Sequence, residues 1–181
     1  MSLETEIHKG GGRRPGTDDL VVIALGGNLP GDFGSSEALL EAALARFAQA
    51  GLPVVTRSSW WRSAAWPEPD GNEYRNGVVL VEARFSPLHT LQTLFSIEAE
   101  FGRRRAQKNA ARTLDLDLIA HGRTLMEQPE LVIPHPRAHE RLFVMGPLAE
   151  IAPAWRHPRL GLTSRQLADQ ASVGLDARPV S

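Results

Sequence analysis

The 181-residue sequence has no cysteine, only one tyrosine and no excess of charge of either sign. Zero cysteine excludes a disulfide scaffold, a thiolate metal site and a cysteine nucleophile. It also fits a reducing compartment, so the expected location is the cytoplasm. Lys plus Arg is 20 and Asp plus Glu is 21, a net charge of -1. Proteins that grip duplex DNA through many phosphates usually carry a basic surplus, so any polyanion site here must be local. No GxxxxGK[ST] segment occurs, which excludes a P-loop. The longest apolar run near the start, residues 20–25 (LVVIAL), is far shorter than the roughly 20 residues a spanning helix needs. The stretch before it lacks the apolar core of a secretory signal. Its Gly triplet and Arg-Arg-Pro-Gly read as a flexible extension over residues 1–19, ahead of a single domain over 20–181. With 42% hydrophobic and 23% charged residues, that domain has the composition of a folded globule.

Periodicity supplies the elements. Residues 20–25 form a β-branched run closed by Gly26-Gly27 and read as a buried strand. Ser35 or Ser36 caps a helix to about Ala50, with Leu40, Ala43, Leu44 and Phe47 as its stripe. Residues 54–62 read as a second strand, 63–72 as a loop and 77–83 (GVVLVEA) as a third strand. Ser86-Pro87 opens a helix to Phe101, whose stripe of Leu88, Leu91, Leu94 and Phe95 continues into an acid, Glu98. A fourth strand with strict alternation spans 112–121, residues 129–136 are irregular, and 138–151 is helical. The order β-α-β-β-α-β is that of a ferredoxin-like α+β sandwich, an antiparallel sheet with helices on one face, here with added C-terminal helices.

Four clusters could carry chemistry. Asp115 and Asp117 alternate with Leu114, Leu116 and Leu118, so both carboxylates leave the same strand face about 6.6 Å apart at Cα. Alone this is an ordinary solvated strand face, yet paired hard oxygens also suit Mg²⁺ with phosphate completing its octahedron. Just upstream, Arg103, Arg104, Arg105, Lys108 and Arg112 form a basic segment free of acids. A helix-end charge run accounts for the first three but not for Arg112, which opens the Asp strand. Basic segment and carboxylates together fit a magnesium polyphosphate. The third cluster is Pro134-His135-Pro136-Arg137 with His139, Arg141 and Phe143, where prolines restrict the backbone around His135. The fourth is Trp60, Trp61, Ser63, Ala64 and Trp66 with Tyr74 and Asn76, aromatics around an amide that could stack and read a flat heterocycle. Alternation sends one of Trp60 and Trp61 inward, and Trp155 reads as packing.

Taken in register, these segments resemble the 6-hydroxymethyl-7,8-dihydropterin pyrophosphokinase family of folate biosynthesis. The resemblance covers roughly residues 21–153. Its carriers are Ala24-Leu25-Gly26-Gly27-Asn28-Leu29, Tyr74-Arg75-Asn76, Ile97-Glu98, Gly102-Arg103, Arg112-Thr113-Leu114-Asp115-Leu116-Asp117, Pro134-His135-Pro136, Arg141, Phe143 and Pro147-Leu148. It implies transfer of the β,γ-diphosphate of ATP to a pterin hydroxymethyl group with release of AMP, on a ferredoxin-like fold. It further implies two Mg²⁺ ions on Asp115 and Asp117, and catalytic roles for Arg103 and Arg112. ATP contacts would come from Glu98, Arg105, Lys108, His135 and Arg141. A pterin pocket would comprise Ser63, Ala64, Trp66, Tyr74, Asn76 and Phe143, with Tyr74 and Phe143 sandwiching the ring. The sequence departs from the family at Asn109-Ala110-Ala111, where Trp-Gly-Pro is usual, and at Ser63-Ala64, where Thr-Pro is frequent. The resemblance implies small-molecule partners only, with no nucleic acid and no membrane, and the chain is expected to be a monomer.

Two other classes share the fold or the carboxylate pair: a single-stranded nucleic-acid binding module and a metal-dependent nucleotidyltransferase. One tyrosine and no aromatic-rich strand speak against the first. The product separates the second, since AMP leaves in one case and pyrophosphate in the other. The basic segment 103–112, with no apolar anchor, is expected to be ordered by ATP.

Overall fold

The computed structural model describes residues 16–64, 72–102 and 114–180. Strand β1 (Val21–Gly27) lies inside the sheet, paired antiparallel with β4 (Tyr74–Val81) on one side and β5 (Asp115–His121) on the other. The outer partner of β4 is an interrupted strand, β2 (Val54–Arg57) followed by β3 (Trp61–Ser63). Helix α1 (Ser36–Gln49) lies between β1 and β2, and α2 (Pro87–Glu100) between β4 and β5. Sheet order and chain order together are those of the ferredoxin-like sandwich.

The helices form where capping and apolar spacing coincide. The Ser35 hydroxyl accepts from the Ala38 amide and the Ser86 hydroxyl from the His89 amide, each satisfying a first-turn donor. Leu40, Ala43 and Phe47 of α1 and Leu94 and Ile97 of α2 then pack on Val21, Ile23, Leu25, Val79, Leu116 and Leu118 of the sheet.

The opposite sheet face is covered too. Val22, Ala24, Val78, Leu80 and Ile119 meet Val144, Met145 and Leu148 of α3 (Leu142–Ile151), with Leu167 of α4 (Ser164–Asp169) and the fully buried Trp155 behind. With both faces covered, each central strand reads as a continuous apolar run.

Several boundaries differ from the sequence expectation. The second strand breaks because Ser58 and Ser59 divert its bonding. The Ser58 hydroxyl accepts from the Val78 amide, while the Ser59 amide and hydroxyl both donate to Glu150 of α3. Strict alternation fails in β5, where β1 pairs Val22 with Ala120 and Ile23 with Leu118, leaving Ile119 bulged. The stretch expected to be irregular contains β7 (Leu131–Ile133), paired with β6 (Met126–Gln128). The helix expected over 138–151 is a short turn, Ala138–Glu140, then α3, separated by the extended Arg141. Both tryptophans pack inward, Trp60 beneath Gly77 on one face and Trp61 beneath Gly146 on the other. Of the expected extension, Thr17–Asp19 forms a turn, and Asp18 accepts a bond from the Arg156 amide.

The tail returns to the sheet. Strand β8 (Arg178–Pro179) pairs with β3, and the Val180 amide donates to the Trp60 carbonyl.

Two consequences are measurable. A Cβ at Gly146 would lie 2.6 Å from Trp61 Cζ3. Helix propensity favours alanine, but overpacking a fixed indole costs about 1–3 kcal/mol. Gly146→Ala should therefore lower the urea unfolding midpoint, and an unchanged or raised midpoint would contradict this packing. His157 is buried, and its Nδ1 accepts from the Arg159 and Leu160 amides. Burial first, then the charges of His139, Arg159 and Arg123, push it down to about 4. The fold thus favours the neutral ring: its contribution is complete above the unfolded value near 6.5 and is lost as pH falls towards 4. Between pH 7 and 5 the wild type should lose about 1–2 kcal/mol more stability than His157→Asn, read from denaturation curves at each pH.

Candidate active site

The register of the sheet builds one row across four strands. Asp115 is opposite Gly26, Gly26 is opposite Asn76, and Asn76 is opposite Trp61. Alternation puts Asp115, Asp117, Asn76 and Tyr74 on the face that carries α3. Gly26 adds no side chain, so the row stays open between the carboxylate and the carboxamide. A methyl there would already stand 3.5 Å from Asn76 Oδ1. Helix α3 covers the neighbouring part of this face and the Trp61 end of the row, where the indole lies beneath Gly146.

The two ends of the row differ in character. At one end Asn76 is buried and its Nδ2 donates to the Ser63 hydroxyl at 2.9 Å, while Ser63 pairs in register with Tyr74. At the other, Asp115 and Asp117 are half-buried and share a field with Arg141 and His135. Burial lowers the affinity of Arg141 for its proton, and Asp117 and Asp115 oppose that effect. Burial first, then Arg141, pushes His135 down to about 4, so its ring is neutral near pH 7. Its Nδ1 accepts from the Arg137 amide at 3.2 Å, which places the ring proton on Nε2. The His135 amide donates to the Ile119 carbonyl at 2.8 Å, tying this segment to β5.

Arg141 also lies beside an aromatic ring, with Cζ 5.8 Å from the centre of Phe143. Phe143 lies in the first turn of α3. The position of that helix is set by Glu150, which takes bonds from the Ser59 amide, the Ser59 hydroxyl and the Trp61 indole. Burial would raise this carboxyl, but those three donors outweigh it and hold Glu150 below the usual carboxylate range.

The expected residues therefore separate into groups. Asp115, Asp117, His135 and Arg141 are near one another, and Ser63, Tyr74 and Asn76 share the neighbouring part of the same sheet face. Glu98 is buried on α2, and its Oε1 takes the outward amide of Leu116, the residue between the two aspartates, at 2.8 Å. Arg103, Arg105, Lys108, Arg112 and Trp66, with the Asn109-Ala110-Ala111 departure and the expected ATP-ordered segment, lie outside the described residues. The expected site residues end at Phe143, yet the Ala64 amide donates to Asp176 at 2.6 Å. An isolated aspartate 112 residues away leaves no local pattern to find.

The model of one protein family, 7,8-dihydro-6-hydroxymethylpterin-pyrophosphokinase, matches residues 22–153. The chain belongs to this pyrophosphokinase family. A relative from Synechocystis sp., named 2-amino-4-hydroxy-6-hydroxymethyldihydropteridine pyrophosphokinase, is 48% identical over 152 residues, covering 82% of this chain and 74% of its own. A pyrophosphokinase of the same name from Haemophilus influenzae is 36% identical over 158 residues, covering 85% and 96%. Among solved structures, Plasmodium falciparum HPPK-DHPS with pteroate superposes with a TM-score of 0.64 at 14% identity, over 83% of this chain. That likeness is one of fold, and the chain spans 42% of the longer Plasmodium protein. The matched stretch of the pyrophosphokinase family contains the whole cross-strand row and ends before Trp155, α4 and the returning tail.

Proposed function

We propose that the protein transfers the β,γ-diphosphate of ATP to the hydroxymethyl group of 6-hydroxymethyl-7,8-dihydropterin, releasing AMP, a step of folate biosynthesis. Family membership supports the reaction, and the observation that supports its location is the row from Asp115 across Gly26 to Asn76. An anion-handling end and a heterocycle-reading end on one rigid sheet can hold two substrates with their reacting atoms together.

The substrate hydroxyl oxygen attacks the β-phosphorus and gives its proton to solvent, the bond from that phosphorus to the α,β-bridging oxygen breaks, and AMP leaves in line. Among the described residues no group of three or more His, Cys, Asp or Glu could hold a metal ion. Asp115 and Asp117 supply two hard carboxylates, the donor set of a Mg²⁺ ion that draws its remaining ligands from phosphate and water. They would hold a pair of Mg²⁺ ions, which when bound neutralise charge on the phosphate oxygens. Arg141 adds a guanidinium for the triphosphate, and neutral His135 offers its Nε2 proton to a phosphate oxygen. Arg103 and Arg112 are assigned to the transition-state charge, and Glu98, Arg105 and Lys108 to ATP. Tyr74 and Phe143 are assigned to the two faces of the pterin, with Asn76, Ser63, Ala64 and Trp66 around its edge.

No described helix is long and apolar enough to cross a membrane. We place the protein in the cytoplasm as a monomer, one domain over 20–181 behind the extension 1–19. Nucleic-acid binding and nucleotidyl transfer are not favoured by the family. Formation of AMP and the pterin diphosphate from ATP and the pterin alcohol tests the reading, and pyrophosphate as product would reject it.

Asp115→Ala and Asp117→Ala should each cut turnover by about 10³-fold or more while leaving the unfolding transition in place. A variant that keeps the wild-type rate at limiting Mg²⁺ would overturn the metal assignment. Asn76→Ala should weaken pterin binding by about tenfold or more and change ATP binding by less than about twofold, because it removes a buried hydrogen-bonding edge. Calorimetric titration with each ligand checks this, and equal losses would assign Asn76 to the fold instead.

A further inference from the structure

The segment after α4 joins two walls of the site. The Ser172 and Val173 amides donate to the Glu140 carbonyl, and the Val173 carbonyl accepts from the Leu142 amide, each at 2.9 Å. These bonds fix residues 172–173 beside the turn into α3. At Gly174 φ is +67°, and a side chain added there would overlap Cδ1 of Phe143. The Phe143 ring thus rests on bare backbone. The Gly174 carbonyl accepts from the Ala177 amide at 3.0 Å, closing a turn that carries Asp176. Asp176 Oδ2 then accepts the Ala64 amide at 2.6 Å. Directly afterwards β8 pairs with β3 at Arg62 and Trp61.

We infer that Asp176 and Gly174 are positioning residues for the pterin, acting through Ala64 and Phe143 respectively. The inference rests on the assignment of Ala64, Ser63, Asn76 and Phe143 to the pterin pocket. Ala64 is exposed, so without Asp176 its amide would bond to water and its backbone would lose a fixed partner. A bond to a carboxylate is short and strong enough to hold that backbone in one orientation. Ala64 follows Ser63, whose hydroxyl takes the Asn76 amide, so the constraint passes directly to the group that reads the heterocycle. Gly174 acts from the other wall. Only a residue without Cβ combines this φ with a ring lying against its backbone. The turn therefore sets the separation between the Phe143 ring and the end of β3. Both residues fall outside the stretch 22–153 that the family model matches.

The test uses steady-state kinetics and thermal unfolding of the full chain. Asp176→Ala should raise KM for the pterin about tenfold, with KM for ATP and kcat within about twofold. Asp176→Asn keeps an oxygen that can accept the Ala64 amide and should return KM to within about threefold of wild type. Gly174→Ala should raise pterin KM from the Phe143 side. An Asp176→Ala enzyme with unchanged pterin KM, or one in which both KM values rise in step with a fall in Tm, would overturn the inference. Asn76→Ala separates this from the underlying reading. If it raises pterin KM and Asp176→Ala does not, only the positioning role fails. If Asn76→Ala also leaves pterin KM unchanged, the pocket assignment fails and the positioning role fails with it.

Discussion

The site depends on where α3 meets the sheet. That contact is tight because Gly146 allows the Trp61 indole against the helix backbone, and Glu150 ties the same helix to Ser59 and Trp61. Backbone and indole leave little freedom to slide, so the first turn of α3 ends at a defined row of the sheet. Apolar side chains fill the covered part of the face. The row to which Trp61 belongs continues through Asn76 and a glycine to Asp115 instead. One packing contact thus fixes how α3 sits on these strands.

The electrostatic arrangement follows from that boundary. Half-buried carboxylates stand near Arg141, which burial has partly stripped of water. His135, held on β5 through its own amide, stays neutral because the same guanidinium and the same burial oppose its protonation. A neutral donor beside a cation and two acids can stabilise phosphate without adding to the positive charge already supplied by Arg141.

Much of this was readable from residue order. Period-two alternation at Leu114–Asp117 put both carboxylates on one face, and the serine caps with apolar stripes located α1 and α2 almost to the residue. What escaped was set by distant partners. Ser58 and Ser59 break a strand because their bonds go to Val78 and to Glu150, about 90 residues on. The bulge at Ile119 leaves no trace in composition, since Ile119 and Ala120 are both apolar and both buried. Glu98 continues an apolar stripe, and the stripe gives no sign that one of its oxygens serves the Leu116 amide. Asp176 stands in no local motif, and only the fold brings it to Ala64.

That use of Glu98 bears on association as well as on folding. Strand β5 ends the sheet, and a terminal strand offers amides and carbonyls to any other extended chain. Here the outward Leu116 amide is taken by Glu98 and the Ile119 carbonyl by His135. Two of the groups with which the strand bearing both carboxylates could bond a second polypeptide are thereby already occupied, and each left unpaired would favour intermolecular sheet growth.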